Sequence, residues 1–221
     1  MKKIYLVVLV LLIGCSSDSV DSSDEAPVII ETGLKDLATS KRKFIGNLMR
    51  DGFFDNHDIY NGAIDNILKT EYNALVTGNK LKMVNLLRDR PEDPFNIQIS
   101  DLNTYNIDRF VNYANKHNMK KRGHVMIWYK QIPNWLNEES KTWTSQQIYD
   151  FTESYIRALS RYTNGKIDEW DVLNEAIIFN GYRPNTWYEK VNIEENDNGE
   201  IGYLSYFSKL FKWAREENPD V

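Results

Sequence analysis

The sequence of 221 residues has a single cysteine, Cys15, so no disulfide can form within the chain. Its 27 basic residues are outnumbered by 32 acidic ones, and the formal net charge of -5 argues against nucleic acid or an anionic membrane surface as partner. No predicted strand is followed by a glycine-rich phosphate loop. No spacing of His, Cys and carboxylate residues is typical of a metal site, and no cofactor is predicted. A neutral or weakly charged substrate fits better.

Apolar and aromatic residues are plentiful. Hydrophobic residues make up 42% and aromatic residues 13% of the chain, which is enough for one sizeable core. The six Trp and thirteen Tyr residues mostly serve such a core, although their flat faces would also suit stacking on sugar rings.

The N-terminus predicts a bacterial lipoprotein. A basic start, MKK, precedes an apolar run over residues 4–13 that is too short to span a bilayer stably. We assign residues 1–14 to a signal peptide, and the following Cys15 resembles the acylated cysteine of a lipobox. Residues 15–40 form an acidic, Ser-rich tether. We therefore expect an extracytoplasmic protein, periplasmic or on the cell surface, that is lipid-anchored to the membrane through Cys15.

Strand and helix patterns alternate through residues 41–221, which we interpret as one domain. The candidate strands are residues 43–48, 72–77, 123–128 and 167–173, and a polar loop over residues 180–202 precedes the last helix. A capping box at Thr144 and Gln147 opens the third helix. The inward stripes predicted for the four helices are Tyr60, Ala63, Ile64, Ile67 and Leu68; Ile107, Phe110, Val111 and Ala114; Ile148, Phe151, Tyr155, Leu159 and Tyr162; and Tyr203, Phe207, Leu210, Phe211 and Ala214.

This order indicates an α/β fold with a parallel sheet, either an open doubly wound sheet or a (β/α)8 barrel. Polar and aromatic residues follow the successive strands: Asn79 and Lys82, then His124 and Trp128, then Asn174 and Glu175. Side chains gathered at the carboxyl ends of strands favour the barrel, because that is where a barrel builds its site. Only four of eight units are present, since the chain stops where a fifth strand would begin.

The last of these pairs is a candidate for catalysis. Residues 167–173 predict a buried strand, and Asn174 and Glu175 would lie at its carboxyl end. We expect Glu175 to be half out of water and beside an apolar wall, an environment that suits a general acid. For an arbitrary Asn-Glu pair, the start of an ordinary loop is the commoner alternative.

Two segments resemble glycoside hydrolase family 10, the endo-1,4-beta-xylanases: GHVMIWYKQIPNW (residues 123–135) and WDVLNEA (residues 170–176). FIG (residues 44–46) and GNKLK (residues 78–82) match two earlier blocks of the family in the same order. The resemblance covers residues 43–221. It implies the first four units of a (β/α)8 TIM barrel and a retaining hydrolase that acts on xylan or xylo-oligosaccharides.

The resemblance also implies roles for single residues. Glu175 matches the acid/base and Asn174 a supporting residue at the cleavage site. The positions that match sugar-binding residues of the family are Asn79, Lys82, His124, Trp128 and Gln131. The alternatives are a core role for His124, a solvated loop for Asn79 and Lys82, and simple filling of the barrel mouth by Trp128 and Trp135. His57 and His117 carry no motif and are interpreted as surface residues.

Three features depart from the family. Gly78 stands where the family usually has a Glu that binds sugar one site from cleavage, and Tyr129 replaces a usual His. The nucleophilic Glu of the family follows the seventh strand, so no residue here matches it. We therefore expect an N-terminal half of the catalytic domain, nearly inactive alone, with a complementing C-terminal half as a further partner. The alternative is a non-catalytic, glycan-binding surface lipoprotein.

Overall fold

The computed structural model describes residues 33–52, 62–179, 181–192 and 202–220. The predicted signal peptide, Cys15, His57 and Tyr60 lie outside these residues, as do most of the tether and part of the loop 180–202. No helix in the described ranges is long and apolar enough to span a membrane.

The four predicted strands and the helices between them occur in the predicted order, with several short elements added. In chain order the elements are α1 (Leu34–Ser40), β1 (Gly46–Met49), α2 (Ala63–Glu71), β2 (Ala74–Thr77), α3 (Met83–Leu86), α4 (Tyr105–Lys116), β3 (Lys120–Ile127), α5 (Asn134–Glu139), α6 (Ser145–Thr163), β4 (Glu169–Leu173), β5 (Ile177–Ile178), β6 (Gly181–Tyr182) and α7 (Tyr203–Glu217), with 3-10 turns at Ile99–Asp101 and Glu189–Asn192. The four predicted strands are confirmed with shifted ends: β1 begins three residues later than predicted, and β3 begins three residues earlier.

The four main strands form one parallel sheet in the order β1-β2-β3-β4. Consecutive parallel neighbours joined by helical crossovers are the arrangement of a (β/α) barrel, whereas the order would reverse in a doubly wound sheet. Leu48, Val76 and Arg122 line an open hollow of about 400 Å³ against this sheet. The short strands β5 and β6 pair antiparallel in a separate sheet just after β4.

The helix faces of α4 and α6 are confirmed. All four predicted residues of α4 are buried, and in α6 only Tyr162 is partly exposed. The capping box is also present, because Thr144 Oγ1 accepts a hydrogen bond from Gln147 N at 3.2 Å while Gln147 Oε1 accepts one from Thr144 N at 2.9 Å.

Two predicted helix stripes were partly wrong. Ala63, Ile64 and Ile67 are exposed, the last two at 42% and 48%. Helix α2 instead turns the face of Asp65 and Leu68 inward, where Asp65 accepts a hydrogen bond from Tyr113 at 2.8 Å. In α7, Phe211 is 52% exposed. Leu210 is buried, and neighbouring residues of a helix point about 100° apart, so Phe211 faces away from the core.

The predicted boundary between tether and domain was also too late. Residues 34–40, assigned to the tether, form α1, and its Lys35 ammonium donates to the carbonyl oxygens of Lys69 and His117. No residue of α1 is buried, and its two leucines, Leu34 and Leu37, are 47% and 52% exposed. His117 itself is partly buried against Tyr113 rather than on the open surface.

Candidate active site

Three of the predicted sugar-binding residues form one hydrogen-bonded group, which we call the amide-lysine cluster: Asn79, Lys82 and Gln131. Lys82 Nζ donates to Asn79 Oδ1 at 2.9 Å and to Gln131 Oε1, and Gln131 Nε2 donates to the same Asn79 oxygen at 3.1 Å. These residues follow β2 and β3, so the carboxyl ends of two neighbouring strands bring them together. The solvated-loop alternative does not describe Lys82, which is buried.

Trp128 lies against this cluster. The Lys82 ammonium is 4.4 Å from the centre of a Trp128 ring, a cation-π contact. The backbone of Trp128 is held by Trp187, whose Nε1 donates to Trp128 O at 2.9 Å. Trp128 Nε1 is buried without a hydrogen-bond partner in the described part of the chain. Trp135, in contrast, packs on Phe151, which fits the filling role.

His124 is paired with a carboxylate that the sequence analysis did not single out. His124 Nδ1 donates to Asp171 Oδ2 at 2.8 Å, and Arg122 donates to the other oxygen of that carboxylate. Burial alone would raise the pKa of Asp171, but these hydrogen bonds outweigh it and hold the pKa below its ordinary value. The pair fixes the imidazole so that Nε2 is the nitrogen left for a ligand hydroxyl. The signal that could have found Asp171 is the period-2 alternation of β4, which places Asp171 on the same face of the strand as Leu173.

Asn174 and Glu175 leave β4 at its carboxyl end, as predicted. Asn174 N donates to Ile127 O at 3.0 Å, which extends the pairing of β4 with β3 by one residue. Glu175 then turns into the left-handed region with φ 54°. A residue other than Gly in that region stores strain of about 1–3 kcal/mol and is frequent at functional sites. The Glu175 side chain is 45% exposed, close to the expected position half out of water, and the charged Arg183 lies beside its carboxylate.

Arg183, also missed by the sequence analysis, holds this turn. Its Nε donates to Glu175 O at 2.7 Å, and its backbone N donates to Ala176 O at 2.8 Å. The guanidinium lies 3.6 Å from Glu175 Oε2 and stacks on the Tyr129 ring, 4.1 Å from its centre. Arg183 directly follows β6, so the β5–β6 hairpin brings it back to β4.

Lys82 connects the two parts of the site electrostatically. Burial lowers the pKa of the Lys82 ammonium from its ordinary value, while the Asp51 and Glu175 carboxylates act in the opposite direction. The amide-lysine cluster and Glu175 therefore share one electrostatic environment. Within the described ranges no group of His, Cys, Asp and Glu residues has a metal-binding arrangement.

An acid, amide and ammonium donors, and an indole face thus lie at the carboxyl ends of consecutive parallel strands, where a (β/α)-barrel enzyme builds its site. The family model described as glycosyl hydrolase family 10 matches residues 33–221. The chain therefore belongs to glycosyl hydrolase family 10.

Individual relatives agree with this assignment. Endo-1,4-beta-xylanase B of Thermotoga neapolitana is 28% identical over 217 residues, which cover 96% of this chain and 53% of that protein. The structure of native xylanase 10B from Thermotoga maritima matches 86% of this chain and 51% of its own with a TM-score of 0.69 at 24% identity. Xylanase 10B from Thermotoga petrophila RKU-1, in complex with xylobiose, matches with a TM-score of 0.68 at 25% identity.

The fold is thus α/β, with the first four units of a (β/α)8 TIM barrel. The chain spans about half the length of the curated relative and of the solved structures that it matches.

Proposed function

We propose that this chain carries the acid/base half of a retaining hydrolase that cleaves xylan-type beta-1,4-linked polysaccharide. The observation that carries the proposal is the position of Asn174 and Glu175, at the end of β4 and in the electrostatic environment of Lys82. Family membership and the xylanase relatives support the choice of substrate class. The sugar would lie on Trp128 and exchange hydrogen bonds with the amide-lysine cluster and His124 Nε2.

The proposed reaction has two steps. Glu175, as the acid, gives its proton to the glycosidic oxygen while the bond from that oxygen to C1 breaks and a second carboxylate bonds to C1. Glu175, now a carboxylate, then takes a proton from water, whose oxygen attacks C1 and releases the second carboxylate. Asn174 would support the sugar at the cleavage site.

A retaining site needs that second carboxylate about 5 to 5.5 Å from the first, and we assign none in this sequence. The Thermotoga neapolitana xylanase and the Thermotoga maritima structure are each about twice as long as the part that matches. We propose that sequence equivalent to their remaining half supplies it, in this protein or in a complementing chain.

Hydrolysis of xylan, followed by release of reducing sugar, tests the catalytic role. The 221-residue chain is assayed alone and mixed with the C-terminal half of the Thermotoga neapolitana xylanase. We expect little turnover alone and clear turnover in the mixture. Glu175→Gln should lower this turnover by at least about a hundredfold, because general acid/base catalysis contributes about 10²–10⁴-fold.

Two controls separate chemistry from folding. Glu138→Gln makes the same change at an exposed residue that pairs with Lys141, and it should leave activity unchanged. A dinitrophenyl xylobioside, whose leaving group needs no protonation, should still release dinitrophenol in a rapid first turnover with Glu175→Gln. An equal loss of activity on xylan and on the dinitrophenyl xylobioside would contradict the acid role of Glu175. The whole proposal would be refuted if calorimetry detected no binding of xylotriose to the chain.

We also propose that Cys15 anchors the protein to an extracytoplasmic membrane surface. A Cys15→Ser variant expressed in the native host should move from the membrane to the soluble fraction. Retention of that variant in the membrane fraction would argue against the anchor.

A further inference from the structure

A carboxylate from a different strand reaches the amide-lysine cluster. Asp51 lies two residues after β1 and is partly buried. Its Oδ1 accepts a hydrogen bond from Asn79 N at 2.9 Å, and its Oδ2 accepts one from Asn79 Nδ2 at 2.7 Å. Asp51 therefore grips Asn79 by both its backbone and its side chain.

This grip sets the orientation of the Asn79 amide. Because an ionised carboxylate only accepts hydrogen bonds, Asn79 must turn Nδ2 toward Asp51. Asn79 Oδ1 then points the other way and accepts from Lys82 and Gln131. The orientation of the whole cluster thus follows from the carboxylate at Asp51.

Gly78 makes room for that carboxylate. A Cβ atom built at Gly78 would lie 3.2 Å from Asp51 Oδ1, closer than an ordinary van der Waals contact of 3.4–4 Å. Gly78 does not have a positive φ, so its backbone does not require glycine. The crowding at Gly78 therefore comes from the neighbouring carboxylate and not from its backbone conformation.

Asp51 also retains hydrogen-bonding capacity. A carboxylate offers about four acceptor sites, and Asn79 uses two of them. Asp51 has no other hydrogen bond within the described ranges and is not fully buried. Its contact with Asn79, which in turn accepts a hydrogen bond from Lys82, places it beside the amide-lysine cluster.

We propose that Asp51 is a sugar-binding residue that accepts hydrogen bonds from adjacent hydroxyl groups of the xylan chain and positions Asn79, Lys82 and Gln131 around it. This inference rests on the proposed function, since it assumes a xylan-type ligand at this cluster. The carboxylate of Asp51, which follows the neighbouring strand β1, would then stand in for the Glu that the family usually has at the position of Gly78. Substrates substituted on those hydroxyls are selected against.

Calorimetry with the 221-residue chain and xylotriose tests the proposal. A hydrogen bond to a charged group contributes enough for about a tenfold to hundredfold change in affinity, and we expect Asp51→Ala to lose that much. The affinity of Asp51→Asn should lie between those of the wild type and Asp51→Ala, because the new amide can accept a hydrogen bond from only one of the two Asn79 donors. Asp89→Ala is the matched control: its carboxylate is 88% exposed beside Arg88, and affinity should not change.

A panel of monodeoxy xylotrioses distinguishes direct contact from support of the fold. If Asp51 accepts from one hydroxyl, removing that hydroxyl weakens binding to the wild-type chain and has no further effect on Asp51→Ala. Penalties that are the same in both chains for every hydroxyl would overturn the inference. Wild-type affinity in Asp51→Ala would overturn it too, while leaving the proposed function intact.

A second variant covers the case in which Asp51→Ala fails to fold. Gly78→Ala keeps the carboxylate but forces it to move by a few tenths of an ångström. We expect affinity to fall severalfold with no loss of thermal stability, because Ala also restricts the unfolded chain. Unchanged affinity in Gly78→Ala would contradict the coupling. Absence of xylotriose binding by the wild-type chain would instead refute the proposed function.

Discussion

Gly123 is the position where one added methyl group should do most damage. Gly123 is buried in β3 and pairs in register with Trp170 of β4. A Cβ atom at Gly123 would lie 2.4 Å from two atoms of the Trp170 ring, so the ring must retreat by at least 1 Å to reach a contact of 3.4 Å. The ring is held in place, because Trp170 Nε1 donates to the buried Thr163 Oγ1 at 3.1 Å.

The cost has two parts. Overpacking a filled core costs about 1–3 kcal/mol, and losing the Trp170 hydrogen bond costs about 0.5–1.5 kcal/mol more. We therefore expect Gly123→Ala to lower the free energy of unfolding by about 2–4 kcal/mol, which for a domain of this size lowers Tm by roughly 5–15 °C. The next pair in the same register is His124 and Asp171, so xylotriose affinity should fall as well.

Urea unfolding monitored by far-UV circular dichroism measures the change in the free energy of unfolding. Gly46→Ala is the matched control in β1, where a Cβ atom would meet Ala74 at an ordinary 3.4 Å, and we expect a change below about 1 kcal/mol. Combining Gly123→Ala with Trp170→Ala should cost less than the sum of the two changes, because the smaller side chain removes the clash. Equal urea midpoints for Gly123→Ala and Gly46→Ala would refute this explanation of the glycine.

Three further predictions concern a cap, a carboxylate and the hairpin. Thr144→Ala removes the acceptor for Gln147 N and should cost about 1 kcal/mol in urea unfolding, whereas Thr144→Ser should cost less. The pKa of Asp171 is lowered in the folded state, so its contribution to the free energy of unfolding is present above the unfolded pKa of 3.8 and is lost as the pH falls through the folded pKa. The wild type should therefore lose more stability than Asp171→Asn on titration from about pH 5 to pH 3. Equal losses in the two proteins would contradict this. Arg183→Gln should speed amide exchange in the β5–β6 hairpin about tenfold with little change in Tm, and unchanged exchange would show that Arg183 does not hold the turn.

Local sequence patterns predicted the order of strands and helices, because the spacing of apolar residues is clear wherever an element packs regularly against the core. The stripe of α4, with Ile107 and Phe110, and the cap at Thr144 depend on residues three or four positions apart, which a sequence presents directly. The prediction for helix α2 failed because its inward face is set by a polar contact between Asp65 and Tyr113, which are 48 residues apart. No periodicity reports such a contact.

The candidate site follows the same rule. Glu175 and His124 were predicted because each lies in a contiguous motif, Glu175 just after β4 and His124 within β3. Asp51 and Arg183 were not, since each lies in a segment without a motif and meets its partner only after folding: Asp51 is 28 residues from Asn79, and Arg183 returns through a hairpin. The contact of Glu175 with Arg183 was not predicted, because nothing in the strand pattern reveals the guanidinium beside it.

The two family departures at Gly78 and Tyr129 gain an explanation from these unpredicted residues. Gly78 lacks a carboxylate, and the carboxylate of Asp51 fills the adjacent space. Tyr129 lacks an imidazole, and its ring instead supports the Arg183 guanidinium, which holds the backbone of Glu175. Each departure therefore exchanges one contact for another supplied by a neighbouring segment. For this reason we expect the departures to change which substituted xylans bind, rather than to abolish binding of the unsubstituted chain.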